Sequence, residues 1–130
     1  MNDLISYSSS IGRAVFHICF KVKYCHRIFE FEKVKRRCEE IFTEVSIAYK
    51  FSISSIGFNK DHVHLIADIG LMSISQIAKL LKGTSTKILL REFPWLKEQY
   101  FFGSGMWSPA TFFDSLGRNI DEVSDYVNSQ

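Results

Sequence analysis

Paired cysteines are missing from this chain: only three occur in 130 residues, Cys19, Cys25 and Cys38, and no CxxC spacing links them. That pattern argues against a thiolate zinc site and reads as three reduced thiols, mostly in the core. Long apolar runs are missing too. The longest uncharged stretch, residues 99–113, is broken by Gly103, Gly105 and Pro109, so no membrane-spanning segment is expected. The first thirteen residues have neither a basic start nor a continuous apolar run. A secretory signal is therefore not expected, and a cytoplasmic location is. Acidic residues are absent between Asp68 and Glu92, a stretch that carries Lys79, Lys82, Lys87 and Arg91.

What is present suits one domain spanning residues 1–130. Hydrophobic residues make up 46% and charged residues 23%, close to globular values, which excludes a disordered tail or a fibre. Aromatic residues reach 15%, with 12 Phe, as expected of a sheet packed on helices. The net charge of +2 says little about partners, but its placement is uneven. Arg36 and Arg37 belong to a basic cluster in the first third, and the acid-free cations above form a second one. Each cluster reads either as a solvated helix face or as a phosphate-binding surface.

Residues 14–25 alternate like a strand, with Phe16, Ile18, Phe20, Val22 and Tyr24 expected on the core face and His17 and Cys19 on the other. Residues 31–49 carry Val34, Cys38, Ile41, Phe42, Val45 and Ala48 at helical spacing. Residues 50–58 form a β-rich run ended by an Asn59-Lys60-Asp61 turn, and residues 62–67 return as a strand. A helix over residues 73–92 is expected to bury Ile74, Ile77, Leu81, Thr84 and Ile88, placing its cations on the opposite half. Phe93-Pro94 stops it. An aromatic loop over residues 95–105, a strand over residues 107–113 and a short last helix opened by Asn119 and Glu122 complete the chain. The order β-α-β-β-α-β-α predicts an α+β, ferredoxin-like fold, a split βαβ antiparallel sheet with helices on one face and an extra C-terminal helix. Such folds host many functions.

Two features carry chemistry. His62 and His64 sit at i and i+2 on a strand, so both imidazoles leave the same face while Val63 and Leu65 face the other way. This is either a two-nitrogen clamp for a divalent metal or a pair of half-exposed histidines without a ligand. His17 and His26 are read as ordinary structural histidines. Tyr126 and Gln130, one helical turn apart, leave the last helix together beside Ile120, Val123 and Val127. A phenol of pKa about 10 attacks well only with a nearby base and a cation at its target. The other reading is a core-capping Tyr and a terminal Gln.

The segments DHVHL at 61–65, LKGTSTKILL at 81–90, Phe93-Pro94, Trp107-Ser108 and YVNSQ at 126–130 together resemble the HUH-type single-tyrosine transposases of the insertion sequence 200/605 family. The resemblance covers nearly the whole chain. It implies metal-dependent cleavage and rejoining of single-stranded DNA with hairpin ends, through a 5′-phosphotyrosine on Tyr126. It also implies Mg²⁺ or Mn²⁺ held by His62, His64 and Gln130. Asp61, next to the histidines, is by its position another candidate oxygen ligand. A homodimer is implied as well, in which the tyrosine helix of one subunit can serve the site of the other. On this reading Lys79, Lys82, Ser85, Thr86, Lys87 and Arg91 hold the DNA backbone, and the region of Arg36 and Arg37 contributes to hairpin recognition. A non-catalytic hairpin-binding module and a domesticated nuclease of palindromic repeats are the alternatives.

Overall fold

The structure is a computed structural model that describes residues 5–7, 10–12, 14–103 and 105–116. Tyr126, Gln130 and the expected last helix lie outside the described residues. Strands β1 (Ile5–Tyr7) and β2 (Ser10–Gly12) form a small antiparallel pair that the sequence reading did not foresee. The main series follows: β3 (Val15–Val22), α1 (Glu32–Tyr49), β4 (Ser52–Phe58), β5 (His62–Asp68), α2 (Ile74–Glu92), α3 (Pro94–Gln99) and β6 (Trp107–Ser115). The sheet order is β4-β5-β3-β6, with every neighbouring pair antiparallel. This is the ferredoxin-like, α+β arrangement expected from the alternation of periods.

Alternation in β3 and β5 decides which side the helices cover. Ile18, Phe20 and Val22 join Val63, Leu65 and Ala67 in one buried cluster. Val34, Cys38, Ile41, Phe42 and Val45 of α1, with Ile77, Leu81 and Leu89 of α2, complete it. Fully burying a side chain such as Phe20, Phe42 or Leu81 stabilises by roughly 1.5–3 kcal/mol, so this face governs the register of the strands. The opposite face carries His17, Cys19, Lys21, His62 and His64, and there Val15 and Ile66 form only a small second cluster with Leu116.

Several expectations need correction. The strand ends at Val22, because Tyr24 and Cys25 adopt left-handed backbone angles (φ 61° and 56°) in a 3-10 turn. Tyr24 is consequently 73% exposed instead of lying on the core face. Ala48 is exposed, whereas the rest of the α1 stripe is buried as expected. In α2 the buried row is Ile77, Ala78, Leu81, Ser85 and Leu89, while Ile74, Thr84 and Ile88 are half-buried. The stripe is thus rotated by about one residue. Pro94 ends α2 and also opens α3 as its first residue, where a missing N–H costs nothing. Residues 94–99 are therefore helix rather than loop, anchored by the fully buried Leu96.

Candidate metal and nucleic-acid site

The turn between β4 and β5 is a tight hairpin closed by the Asn59 N–H, which donates to the His62 carbonyl at 2.9 Å. It delivers His62 and His64 onto the sheet face that carries no helix among the described residues, flanking Val63, which is fully buried on the other. Their ring centroids are 4.7 Å apart and nearly perpendicular. Register places Lys21 opposite His62, Cys19 opposite His64 and His17 opposite Ile66. The two imidazoles that alternation put on one face are therefore side by side.

Each ring is held by neighbours. Asp61 Oδ1 lies 2.8 Å from His62 Nδ1, and Asn59 Nδ2 lies 2.9 Å from His62 Nε2. A carboxylate can only accept, so the His62 proton sits on Nδ1 and its Nε2 accepts from the Asn59 amide. His64 Nδ1 lies 2.9 Å from His17 Nε2, with the two rings stacked at 5.1 Å. Burial, then the fields of His62 and His17, push His64 down to about 4. It is neutral at physiological pH, the form that ligates metal. Burial also lowers His17, against the opposing field of Asp114, its cross-strand partner on β6. Burial pushes the Cys19 thiol up, which keeps it unreactive as a ligand.

This donor set fits a divalent cation such as Mn²⁺: two adjacent imidazoles on a rigid strand, one neutral by burial and one backed by a carboxylate. Among the described residues no group of three or more His, Cys, Asp or Glu is arranged to hold an ion. Asp61, a further candidate ligand from the sequence, has its Oδ1 on His62 Nδ1. Gln130, the other expected ligand, lies outside the described residues. His17, read as a bystander, is the residue that sequence reasoning missed. Its parity in β3 already put it on the face opposite the core; only the β3–β5 register set it against His64.

The expected cations separate into two groups. Lys79, Lys87 and Arg91 are exposed and line a groove of about 700 Å³ with Tyr49, Leu80 and Ile88, and no acidic side chain lines it. Thr86 is half-buried on the same helix. Lys82 does not belong with them. Its Nζ donates to the carbonyls of Ser108 and Ala110, both at 3.0 Å, and sits 5.3 Å from the centre of the Phe20 ring, and desolvation lowers its pKa. Ser85 is also corrected: it is fully buried, donates to the Leu81 carbonyl at 2.6 Å and accepts from Trp107 Nε1 at 2.8 Å. A buried indole N–H needs such an acceptor, so Ser85 belongs to the core and not to a phosphate edge.

Arg37 is committed as well. Its guanidinium pairs with both oxygens of Glu92 at 2.9 and 3.2 Å and reaches Glu40 at 3.2 Å, and these bonds hold the Glu92 carboxyl below its ordinary range. Arg36 is exposed but shares its patch with Glu39, Glu40 and Glu44. The α1 cluster is therefore mixed in sign and not a free cationic surface.

Comparison with known proteins agrees with this geometry. The chain matches the structure of a transposase from Deinococcus radiodurans with a TM-score of 0.77 at 20% identity, covering 97% of each chain. It also matches a REP-associated tyrosine transposase bound to a REP hairpin, with a TM-score of 0.65 at 15% identity, over 98% of this chain and 70% of that one. The fold is thus one that transposases use. At the level of sequence, the family described as "Transposase IS200 like" matches residues 10–130. The transposase for insertion sequence element IS200 of Salmonella typhimurium is 28% identical over all of this chain and 85% of its own length, as is that of Salmonella typhi. The chain belongs to the IS200-like transposase family, and its activity is that of a DNA transposase.

Proposed function

We propose that the chain cleaves and rejoins single-stranded DNA at element ends through a 5′-phosphotyrosine on Tyr126, with hairpin ends as its recognised substrate. The observation that supports this most directly is the pairing of His62 and His64 on the sheet face opposite the α1–α2 core in a member of this family. The Tyr126 oxygen forms a bond to the scissile phosphorus as the 3′-oxygen departs, so the phosphodiester energy is kept in the phosphotyrosine and no nucleotide cofactor is needed. Rejoining is the reverse step with a different 3′-hydroxyl.

His62 and His64, with Gln130, would hold Mg²⁺ or Mn²⁺, which when bound supplies charge neutralisation at a nonbridging oxygen. Lys79, Lys87 and Arg91 grip the backbone phosphates, which positions the strand without reading its sequence. The protein acts as a homodimer in which the Tyr126 segment of one subunit reaches the histidine pair of the other. The test is incubation of the full chain with single-stranded element ends and Mn²⁺. An SDS-stable protein–DNA adduct that Tyr126→Phe abolishes supports the reading; identical behaviour of wild type and Tyr126→Phe overturns it.

A further inference from the structure

The histidine pair comes with two neighbours of opposite effect. Asp61 holds His62 at Nδ1 (2.8 Å) and Asn59 occupies the same ring at Nε2 (2.9 Å). The carboxylate fixes the proton on Nδ1, which leaves Nε2 as the lone-pair nitrogen on this ring. His64 is bound at Nδ1 as well, by His17. Both rings are therefore tied at Nδ1, so the only His62 nitrogen available to a cation is the one that the Asn59 amide now covers. Asn59 is exposed and its backbone N–H, not its side chain, closes the turn, so the amide can swing away at little structural cost.

We propose that Asp61 is a positioning residue that locks His62 in its Nδ1–H tautomer, with the Nε2 lone pair directed outward, and that Asn59 is a polar placeholder competing with the cation for that nitrogen. The proposal rests on the metal reading of the pair given above and adds the two residues that set its affinity in opposite directions. A carboxylate behind a ligating imidazole typically contributes about 10–100-fold in metal affinity. A neutral hydrogen bond at the ligating nitrogen opposes binding by roughly 2- to 10-fold.

The experiment uses the full chain, with Mn²⁺ alone as the probe. Free Mn²⁺ is followed by electron paramagnetic resonance, and the His62 tautomer of the metal-free protein is read from the ¹⁵N shifts of its ring. Wild type should show a protonated Nδ1. Asp61→Asn should weaken Mn²⁺ binding by about 10–100-fold and lose the single tautomer before any metal is added. Asn59→Ala should keep the tautomer and bind Mn²⁺ more tightly. Loss of Mn²⁺ affinity in Asp61→Asn with the metal-free tautomer unchanged would make Asp61 a direct ligand and overturn the positioning role. Unchanged or weaker binding in Asn59→Ala overturns the placeholder. If wild type binds no Mn²⁺, the metal reading itself fails and the placeholder with it, while the tautomer measurement still decides what Asp61 does to the ring.

Discussion

Individual side chains divide into those that serve the core and those left for chemistry, and the division follows hydrogen bonding more than residue type. Ser85 and Thr86 are neighbours with similar hydroxyls, yet Ser85 faces Trp107 and supplies the acceptor that its buried indole N–H needs. Ser85→Ala should therefore destabilise the protein by about 1–3 kcal/mol, because the indole donor is left unsatisfied. Urea unfolding measures the loss, and DNA affinity of the folded fraction should be unchanged. His64 gives a pH signature. Its native pKa lies near 4 against 6.5 for the ordinary imidazole, so below pH 6.5 the unfolded chain takes up a proton that the native state refuses. Stability from this group is complete above about pH 6.5 and falls as the pH drops toward 4. Urea midpoints taken in chelator from about pH 7 to 4 should fall more steeply for wild type than for His64→Gln, and parallel curves would refute the assignment. Parity alone made His62 and His64 legible as a pair; the contact of His17 with His64 was not, because an interaction between strands depends on register.

Helix α2 is the element on which the sequence reading and the structure differ most usefully. Its apolar residues admit two stripes one residue apart, and Thr84 and Ile88 look as good by spacing as Ser85 and Leu89. Packing against β6 chooses the second row, since Trp107 must find its acceptor and Lys82 its carbonyls. The acid-free cations of α2 then have distinct tasks. Replacing Lys79, Lys87 and Arg91 together by Ala should lower the log–log salt slope of DNA binding by about one unit for each phosphate that is no longer neutralised, with little change in stability. Lys82→Met should do the reverse: a cost of about 1–2 kcal/mol in urea unfolding, from charge-assisted bonds to the β6 carbonyls, with the slope intact. Comparing the salt dependence of the two variants checks both statements. A capping box at the start of α2, in which the Ser73 hydroxyl accepts from the Gln76 N–H and the Gln76 side chain accepts from the Ser73 N–H, fixes where this helix begins.

For the whole molecule, the sheet separates two surfaces: a helical side that is core and outer cations, and a side with the histidine pair on which no helix lies among the described residues. On the proposed reading, Tyr126 serves the histidine pair. If it arrives from the partner subunit, Tyr126→Phe and His64→Ala proteins should each be inactive alone yet regain adduct formation when mixed. No recovery in gels of the mixture would assign Tyr126 to its own subunit's site. Among the described residues no helix is long and apolar enough to cross a membrane, in line with the interrupted apolar stretches.

The main β-α-β-β-α-β series, the ferredoxin-like sheet and the shared face of His62 and His64 follow from local rules, because periods of two and 3.6 residues and turn chemistry act over a few neighbouring positions. Register, the choice between adjacent helical stripes, and the partners of His17, Lys82 and Ser85 were decided only by tertiary structure. Those outcomes depend on groups far apart in the chain competing for the same buried donors and acceptors, and such competition leaves no period for a sequence to display.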